Sequence, residues 1–404
     1  MSIVPGVAPA RHPRPSTPPH GAARRIALVS DWFLPRRGGI ELQLAGLAAH
    51  LTAAGHRVDV LTPTPGDPES GVVRLDVPRL PGVGIAYPPA LERALDHALD
   101  AGAYDVVHAH ASIVSPSAFA AVRATRRRSI PCLVTFHSVL HAAAPLLGVA
   151  DAVTGWARDP GVVLSGVSTL VARQLQRGVP KAHVRVLPNG ADLAWWRALP
   201  RAEQAEPRPA RPRTARSREL CLVTAMRLVR KKRPLALLRV AAAARDAAPA
   251  GARVRMLVAG EGPERARLDQ AARRAGLADV VTTLGWQSRA GLRALYRTAD
   301  AFVLPTVRES FGIAALEARA AGLAVLARAG SGVADFVTPG VDGWLCASDA
   351  ELAARAAAWV RKPAALHAMR AASAADVPVA FGWEAVVAAH LDAYASASVA
   401  VASA

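Results

Sequence analysis

The sequence is short of cysteine, of aromatic side chains and of uninterrupted apolar stretches, and each shortage removes a class of protein. Its three cysteines, Cys132, Cys221 and Cys346, are scattered without paired spacing. That leaves neither a disulfide framework nor a cysteine-based zinc site, and it fits a reducing compartment. Aromatics make up only 5% of residues; the abundant alanine suits helices with small faces packed closely on sheets. No apolar run approaches the roughly 20 residues that cross a bilayer, and the N-terminus lacks the apolar core of a signal peptide. The expected location is cytoplasmic, with at most a peripheral contact at the inner face of the plasma membrane. Residues 1–24 read as a disordered tail containing Pro, His and Arg.

Acidic residues are also in deficit. Asp and Glu number 31 against 49 Lys and Arg, a formal charge of +18. Only Lys181, Lys231, Lys232 and Lys362 are lysines. The excess fits an arginine-rich composition, or an anionic partner such as nucleotide phosphates, an anionic lipid surface or nucleic acid. Several catalytic signatures are missing. There is no Gly-Lys-Ser/Thr phosphate loop, which argues against an NTPase. No Asp-x-Asp pair occurs, so a carboxylate-bridged divalent metal is not expected. No Gly-x-Ser-x-Gly elbow is present. The first strand is not followed by Gly-x-Gly-x-x-Gly, which argues against a dehydrogenase.

What is there is a repeated strand-then-helix pattern. Ile26–Ser30, Val58–Leu61, Val106-Val107, Leu133–Phe136, Val162–Leu164 and Val184–Leu187 read as strands, with helices at 40–54 and from Ser168 to about Arg177. Residues 200–218 then hold four prolines, many charges and almost nothing apolar, which reads as a linker. The alternation restarts with strands at Leu220–Thr224, Val254–Ala259, Val280–Leu284, Phe302–Leu304 and Leu323–Leu326. Helices fill the gaps at 234–246, 263–275, 288–298 and 313–321. This predicts an α/β protein with two Rossmann-like, doubly wound parallel sheets facing across a cleft. The expected units are 25–199 and 219–380, with a C-terminal helix over 381–404 packing back on the first.

Ligands of such sheets sit outside the carboxyl ends of the strands. The richest segment there is Leu304 to Ala318, where a strand ends near Pro305 and a helix starts near Gly312. A helix start offers unpaired amides and a positive dipole end, a site for a diphosphate. Glu309 precedes it and Glu317 lies on the helix, so one carboxylate could reach a sugar and the other a ribose. The alternative is a dipole-favouring Glu and a solvated one. Met226–Arg233 places five cations in eight residues after another strand, either for a pyrophosphate or as a solvated basic loop. Gly260, in Gly-Glu-Gly, could mark close approach of a ligand or only of backbone. Gly38 and Gly39 lie between the first strand and first helix, with Asp31 in the same loop, able to accept from an acceptor hydroxyl. The alternative is a plain tight turn. His137 follows a strand and could stabilise positive charge or shuttle a proton. His108 and His110 look metal-like but lack a third ligand nearby, which leaves packing or hydrogen bonding as the main reading.

In order along the chain, DWFLPRRGGIE, DVVHAH, VTFHS, VLPNGAD, RLVRKK, GEGPE, LGW and ADAFVLPTVRESFGIAALEA resemble the retaining glycosyltransferases of family 4, with the GT-B fold. The likeness runs over nearly the whole chain from about residue 25. It implies that Arg227 and Lys232 hold the donor diphosphate, Glu309 the transferred sugar and Glu317 the ribose. Ser310, Phe311, Gly312 and Ile313 would line the sugar and phosphates, with Gly260 on the donor side and Gly39 near the diphosphate. His137 would sit beside the anomeric centre, with Asp31 and Gly38 on the acceptor side. The implied reaction retains anomeric configuration and uses no metal or cofactor, only a UDP- or GDP-sugar as donor. The GGIE and VTFHS segments are most similar to enzymes that mannosylate or N-acetylglucosaminylate inositol lipids. A lipid-linked acceptor would give Arg36, Arg37 and Arg126–Arg128 anionic headgroups to bind; nucleic acid is not implied. Two positions depart from the pattern: Arg233 replaces a usual Gly, and Arg319 a usual apolar residue. A nucleotide-sugar epimerase of the same architecture, and a non-enzymatic basic binder, are the alternatives.

Overall fold

The structure, a computed structural model, describes residues 23–36, 38–80, 86–140, 143–197 and 219–402. The expected tail up to residue 22, Arg37 and the linker at 200–218 lie outside the described residues. The chain divides into two compact units. The first runs to Gly190 and resumes at Ala380; the second is Ala191–Val379. Composition predicts the change of unit near residue 199, but it comes earlier. The helix Leu193–Arg197 packs on the helix Ile313–Ala320 of the second unit. Its Trp196 is fully buried, 5.4 Å from the Tyr296 ring.

In the first unit the strands are β1 (Arg25–Ser30), β2 (Arg57–Thr62), β3 (Val72–Arg74), β4 (Val106–Ala111), β5 (Cys132–Phe136), β6 (Val162–Gly166) and β7 (Val184–Val186). They pair in the order β3-β2-β1-β4-β5-β6-β7, all parallel. Strands β4, β5 and β6 are buried along their whole length, as expected of a sheet covered on both faces. Five helices follow strands: Gly39–Ala53, Pro88–Gly102, Pro116–Arg128, Ala144–Thr154 and Thr169–Gly178. The Ser168 hydroxyl caps the last by accepting from the Val171 amide at 3.3 Å.

The helix Trp383–Ala402 completes this unit. Tyr394 and Ala397 join the core that holds Ile26, Leu28, Leu44 and Leu51. Trp383 stacks on His50 with ring centroids 4.6 Å apart. A Cβ added at Gly46 or Gly190 would lie 2.4 Å from the Trp383 ring, so only glycine admits this indole. The Gln43 side chain holds Gly190 in place, bonding its carbonyl and its amide at 2.9 Å each.

The second unit contains β8 (Glu219–Ala225), β9 (Arg253–Ala259), β10 (Val281–Gly285), β11 (Ala301–Leu304), β12 (Ala324–Arg328) and β13 (Gly343–Cys346). Their order is β10-β9-β8-β11-β12-β13, again parallel. In each sheet the order reverses beside its first strand, between β1 and β4 and between β8 and β11. Those reversals are where a doubly wound sheet opens its binding crevice.

Candidate active site

In the second unit the segment Met226–Arg233 leaves the carboxyl end of β8. Its backbone pairs with the Gly260–Gly262 loop: the Met226 amide donates to Ala259 and the Leu228 amide to Glu261, at 3.0 and 2.8 Å. Gly260 has φ +135°, and a Cβ there would fall 1.8 Å from the Met226 carbonyl oxygen. The close approach that Gly260 permits is thus backbone on backbone, and it aligns the basic loop. Arg227 is exposed and makes no side-chain hydrogen bond or ion pair among the described residues.

Lys232 and Glu309 meet across the β8–β11 reversal, Nζ to Oε2 at 2.6 Å. Glu309 is buried. Gly312, at φ +94°, precedes the helix Ile313–Ala320. A Cβ on Gly312 would meet the Val333 methyl at 2.8 Å. The amides of Gly312, Ile313 and Ala314 find no backbone acceptor among the described residues, the kind of open donors with which a helix start can hold an anion. Ser310 is half-buried, and Phe311 is buried against Phe336. Glu317 lies within the same helix. Burial pushes its carboxyl up to about 8, against which the Arg289 charge works only in part. At neutral pH Glu317 is largely protonated and can donate to one hydroxyl while accepting from another.

The two departures from the family pattern have local explanations. Arg233 adopts φ +59°, the left-handed conformation that glycine favours. Its guanidinium is tied to both oxygens of Asp349, at 2.9 and 2.5 Å, and to the Pro305 carbonyl at 3.1 Å. The fork offsets the backbone cost and anchors the basic loop to the edge of β11. Arg319 is buried and reaches Asp342 at 2.7 Å and Asp376 at 2.9 Å. Removing one partner of a buried pair strands the other charge. Arg319→Met should cost about 3–5 kcal/mol and lower the melting temperature of the second unit. Adding Asp342→Asn, which keeps an oxygen for the Thr338 amide, should restore most of the loss. A double variant no more stable than the single one would refute this account.

In the first unit Asp31 follows β1. Its Oδ1 accepts from the Ser117 amide at 3.0 Å, at the start of the helix Pro116–Arg128, while Oδ2 is enclosed without a partner. Burial raises its pKa from the ordinary carboxylate value, against the pull of the hydrogen bond from the Ser117 amide. Gly38 precedes the helix Gly39–Ala53, and a Cβ there would lie 2.3 Å from Glu41 Oε2. Gly39 is exposed at the helix start. Glu41 is buried and pairs with Arg36 at 3.3 Å, while Arg36 also covers the Trp32 ring.

His137 lies just beyond β5 with its Nε2 2.9 Å from His110 Nδ1. His108 and His110 are inside β4, not after it as its two valines alone suggest. His108 spends Nδ1 on the Tyr394 hydroxyl at 2.9 Å and Nε2 on Thr135 at 2.7 Å, so it has no nitrogen left for a metal. Among the described residues no group of three or more His, Cys, Asp or Glu could hold a metal ion.

Burial lowers the pKa of His108, His110, His137 and His390, with His137 at about 3 and His390 at about 4. His137 is therefore neutral near pH 7. Arg126, Arg127 and Arg128 pair with Asp159, Glu92, Asp96 and Asp100 at the surface of the first unit. The sequence reading missed His390, Tyr394, Arg289 and Asp349. Each is far along the chain from the group it meets, and none stands in a local motif.

Two family models match the chain: Glycosyltransferase Family 4 over residues 37–195 and Glycosyl transferases group 1 over residues 210–376. A D-inositol 3-phosphate glycosyltransferase of Geodermatophilus obscurus is 30% identical over 428 residues, spanning 96% of this chain and 92% of that one. The same-named protein of Thermomonospora curvata is 31% identical over 349 residues, 76% of this chain and 78% of that one. Among solved structures, sucrose-phosphate synthase from Thermosynechococcus elongatus superimposes with TM-score 0.70 at 21% identity, covering 92% of this chain and 98% of that one. Anabaena HepE in complex with UDP and glucose gives 0.68 at 17% identity, covering 92% and 100%. These structures share the fold, two parallel-sheet α/β units of GT-B type. On that sequence match, carried on that fold, the chain belongs to glycosyltransferase family 4.

Proposed function

We propose that this glycosyltransferase moves a hexose or N-acetylhexosamine from a UDP- or GDP-sugar to a hydroxyl of an inositol-bearing acceptor. The reaction retains the anomeric configuration and needs no metal. The observation that carries the donor reading is the Lys232–Glu309 pair set beside the open amides of Gly312 and Ile313. Arg227, Lys232 and those amides supply the positive field that a diphosphate leaving group needs as charge develops on it, and they take the place of a divalent ion. Glu309 contacts the transferred sugar and Glu317 the ribose. Ser310 and Phe311 line the donor site, and Gly260 sets the basic loop. In the other unit His137 serves the anomeric centre, Gly39 admits the diphosphate, and Asp31 and Gly38 border the acceptor. The relatives named D-inositol 3-phosphate glycosyltransferases support an acceptor of the inositol phosphate class. HepE, whose structure holds UDP and glucose, favours a uridine nucleotide over a guanine one. The expected place of work is the cytoplasm; no helix among the described residues is long and apolar enough to cross a membrane.

The test is thermal stabilisation by UDP, GDP and ADP, on wild type and on Glu317→Ala. A ligand at a hundred times its dissociation constant stabilises by about 2.7 kcal/mol. One nucleotide should stand out and lose its effect in the variant. No shift with any of the three overturns the donor site.

A further inference from the structure

The histidines of the first unit form more than a packed cluster. His110 lies between His108 and His137, with ring centroids 4.0 and 5.2 Å away. Its Nδ1 is 2.9 Å from His137 Nε2. None of the other neighbours reaches its second nitrogen. His108 has both nitrogens engaged by Tyr394 and Thr135, and Thr135 in turn meets Ser165 at 2.6 Å. His390 directs Nδ1 to the Val386 carbonyl at 2.7 Å. His110 Nε2 is left enclosed, with no hydrogen-bond partner among the described residues.

That one unpartnered atom decides where the protons are. A neutral imidazole carries a single N–H, so the bond between the two rings has two arrangements. If His137 donated from Nε2, His110 would carry its own hydrogen on Nε2, a buried N–H with nothing to accept it. Orphaned buried donors are the rarer and more strongly avoided condition. If His110 donates from Nδ1, only a lone pair goes unmet, and the hydrogen of His137 must lie on Nδ1. Burial and the neighbouring imidazoles keep both rings uncharged near pH 7, so a doubly protonated ring does not disturb this count.

We infer that His110 is a positioning residue: by donating its Nδ1–H to His137 Nε2 it fixes His137 in the tautomer that carries hydrogen on Nδ1. His137 then offers the reactants a neutral N–H. Such a group can hold an oxygen of the sugar or of the leaving phosphate; it cannot take the acceptor's proton at Nδ1. The inference rests on the placement of His137 beside the anomeric centre under Proposed function.

The experiment has two arms. In the first, full-length protein labelled with 15N-histidine is studied by long-range 1H–15N correlation near pH 7.5, with His137 assigned by the spectrum of His137→Gln. A protonated-type Nδ1 and an unprotonated-type Nε2 are expected, and the reverse pattern overturns the proposal. This readout requires no turnover, so it stands even if the transferase reading fails. In the second, His110→Asn keeps an N–H close to the position of Nδ1, whereas His110→Phe keeps only the ring. Asn should hold kcat within about threefold of wild type. Phe should lower it by about tenfold or more, with the donor KM little changed, as losing the partner that orients a functional histidine does elsewhere. Equal kcat in the two variants would remove the positioning role.

Discussion

At pH 5 the first unit is expected to unfold while the second stays folded. His108, His110, His137 and His390 are all buried, and desolvation puts each folded pKa below the unfolded value of 6.5. Protons then favour the unfolded chain, so the stability these groups leave intact is complete above pH 6.5. It is lost as pH falls from there toward folded values of about 4 and 3 for His390 and His137. At pH 5 His137 and His390 each cost about 2 kcal/mol, about 4 together, and His108 and His110 add to the loss in the same direction, so the sum approaches a whole domain's stability. Asp31, with a raised pKa, works the other way on the same unit, one group against four. The second unit has the opposite response through Glu317. Its carboxyl is raised to about 8, so the stability linked to it is full below the unfolded value of 4.5 and lost as pH rises through 8. Urea titration with pulse proteolysis at pH 7.5 and pH 5, read by fragment mass, separates the units. Equal resistance of the first unit at both pH values would show that the histidines are not buried neutral in solution.

The second large effect is kinetic. Glu309→Gln should lower turnover by about a hundredfold or more, comparable to losing one preorganised contact to a transition state, while UDP binding holds or tightens. Glu309 is the partner of Lys232, at 2.6 Å. In the free enzyme the ammonium is already half-satisfied by that carboxylate. A donor diphosphate has to compete for it, and the neutral amide removes the competitor. A substrate interaction made with equal strength throughout the reaction would instead appear in KM. Wild-type turnover in Glu309→Gln would end the case for Glu309 at the reacting sugar.

The strands, most of the helices that follow them, and both crevices can be read from apolar runs and turn residues. Glu309, Lys232 and Gly312 come together because each follows a strand of one parallel sheet, and parallel order puts all the carboxyl ends on one edge. Other features resist such reading. The strand over Val106–Ala111 carries two histidines, which break the apolar run and hide its length. Val72–Arg74 is too short to show a period. Arg233 looks like an obstacle to its loop until Asp349, 116 positions away, supplies the fork that holds it. Arg319 likewise makes sense only beside Asp342. Long-range ion pairs leave no local signature, so their residues look merely charged.

The helix Trp383–Ala402 belongs to the first unit although the whole second unit separates the two in sequence. A ribosome delivers the chain in that order. Seven strands of the first sheet and everything through Val379 are made before Trp383, His390 and Tyr394 exist. Until then the groove between Gly46 and Gly190 has no indole in it, and His108 has no tyrosine hydroxyl for its Nδ1. Residues 191–379, by contrast, are contiguous and can finish folding as they appear. The part of the molecule synthesised first is thus the last that can close, and nascent chains are most open to proteases and chaperones on the side that holds His137.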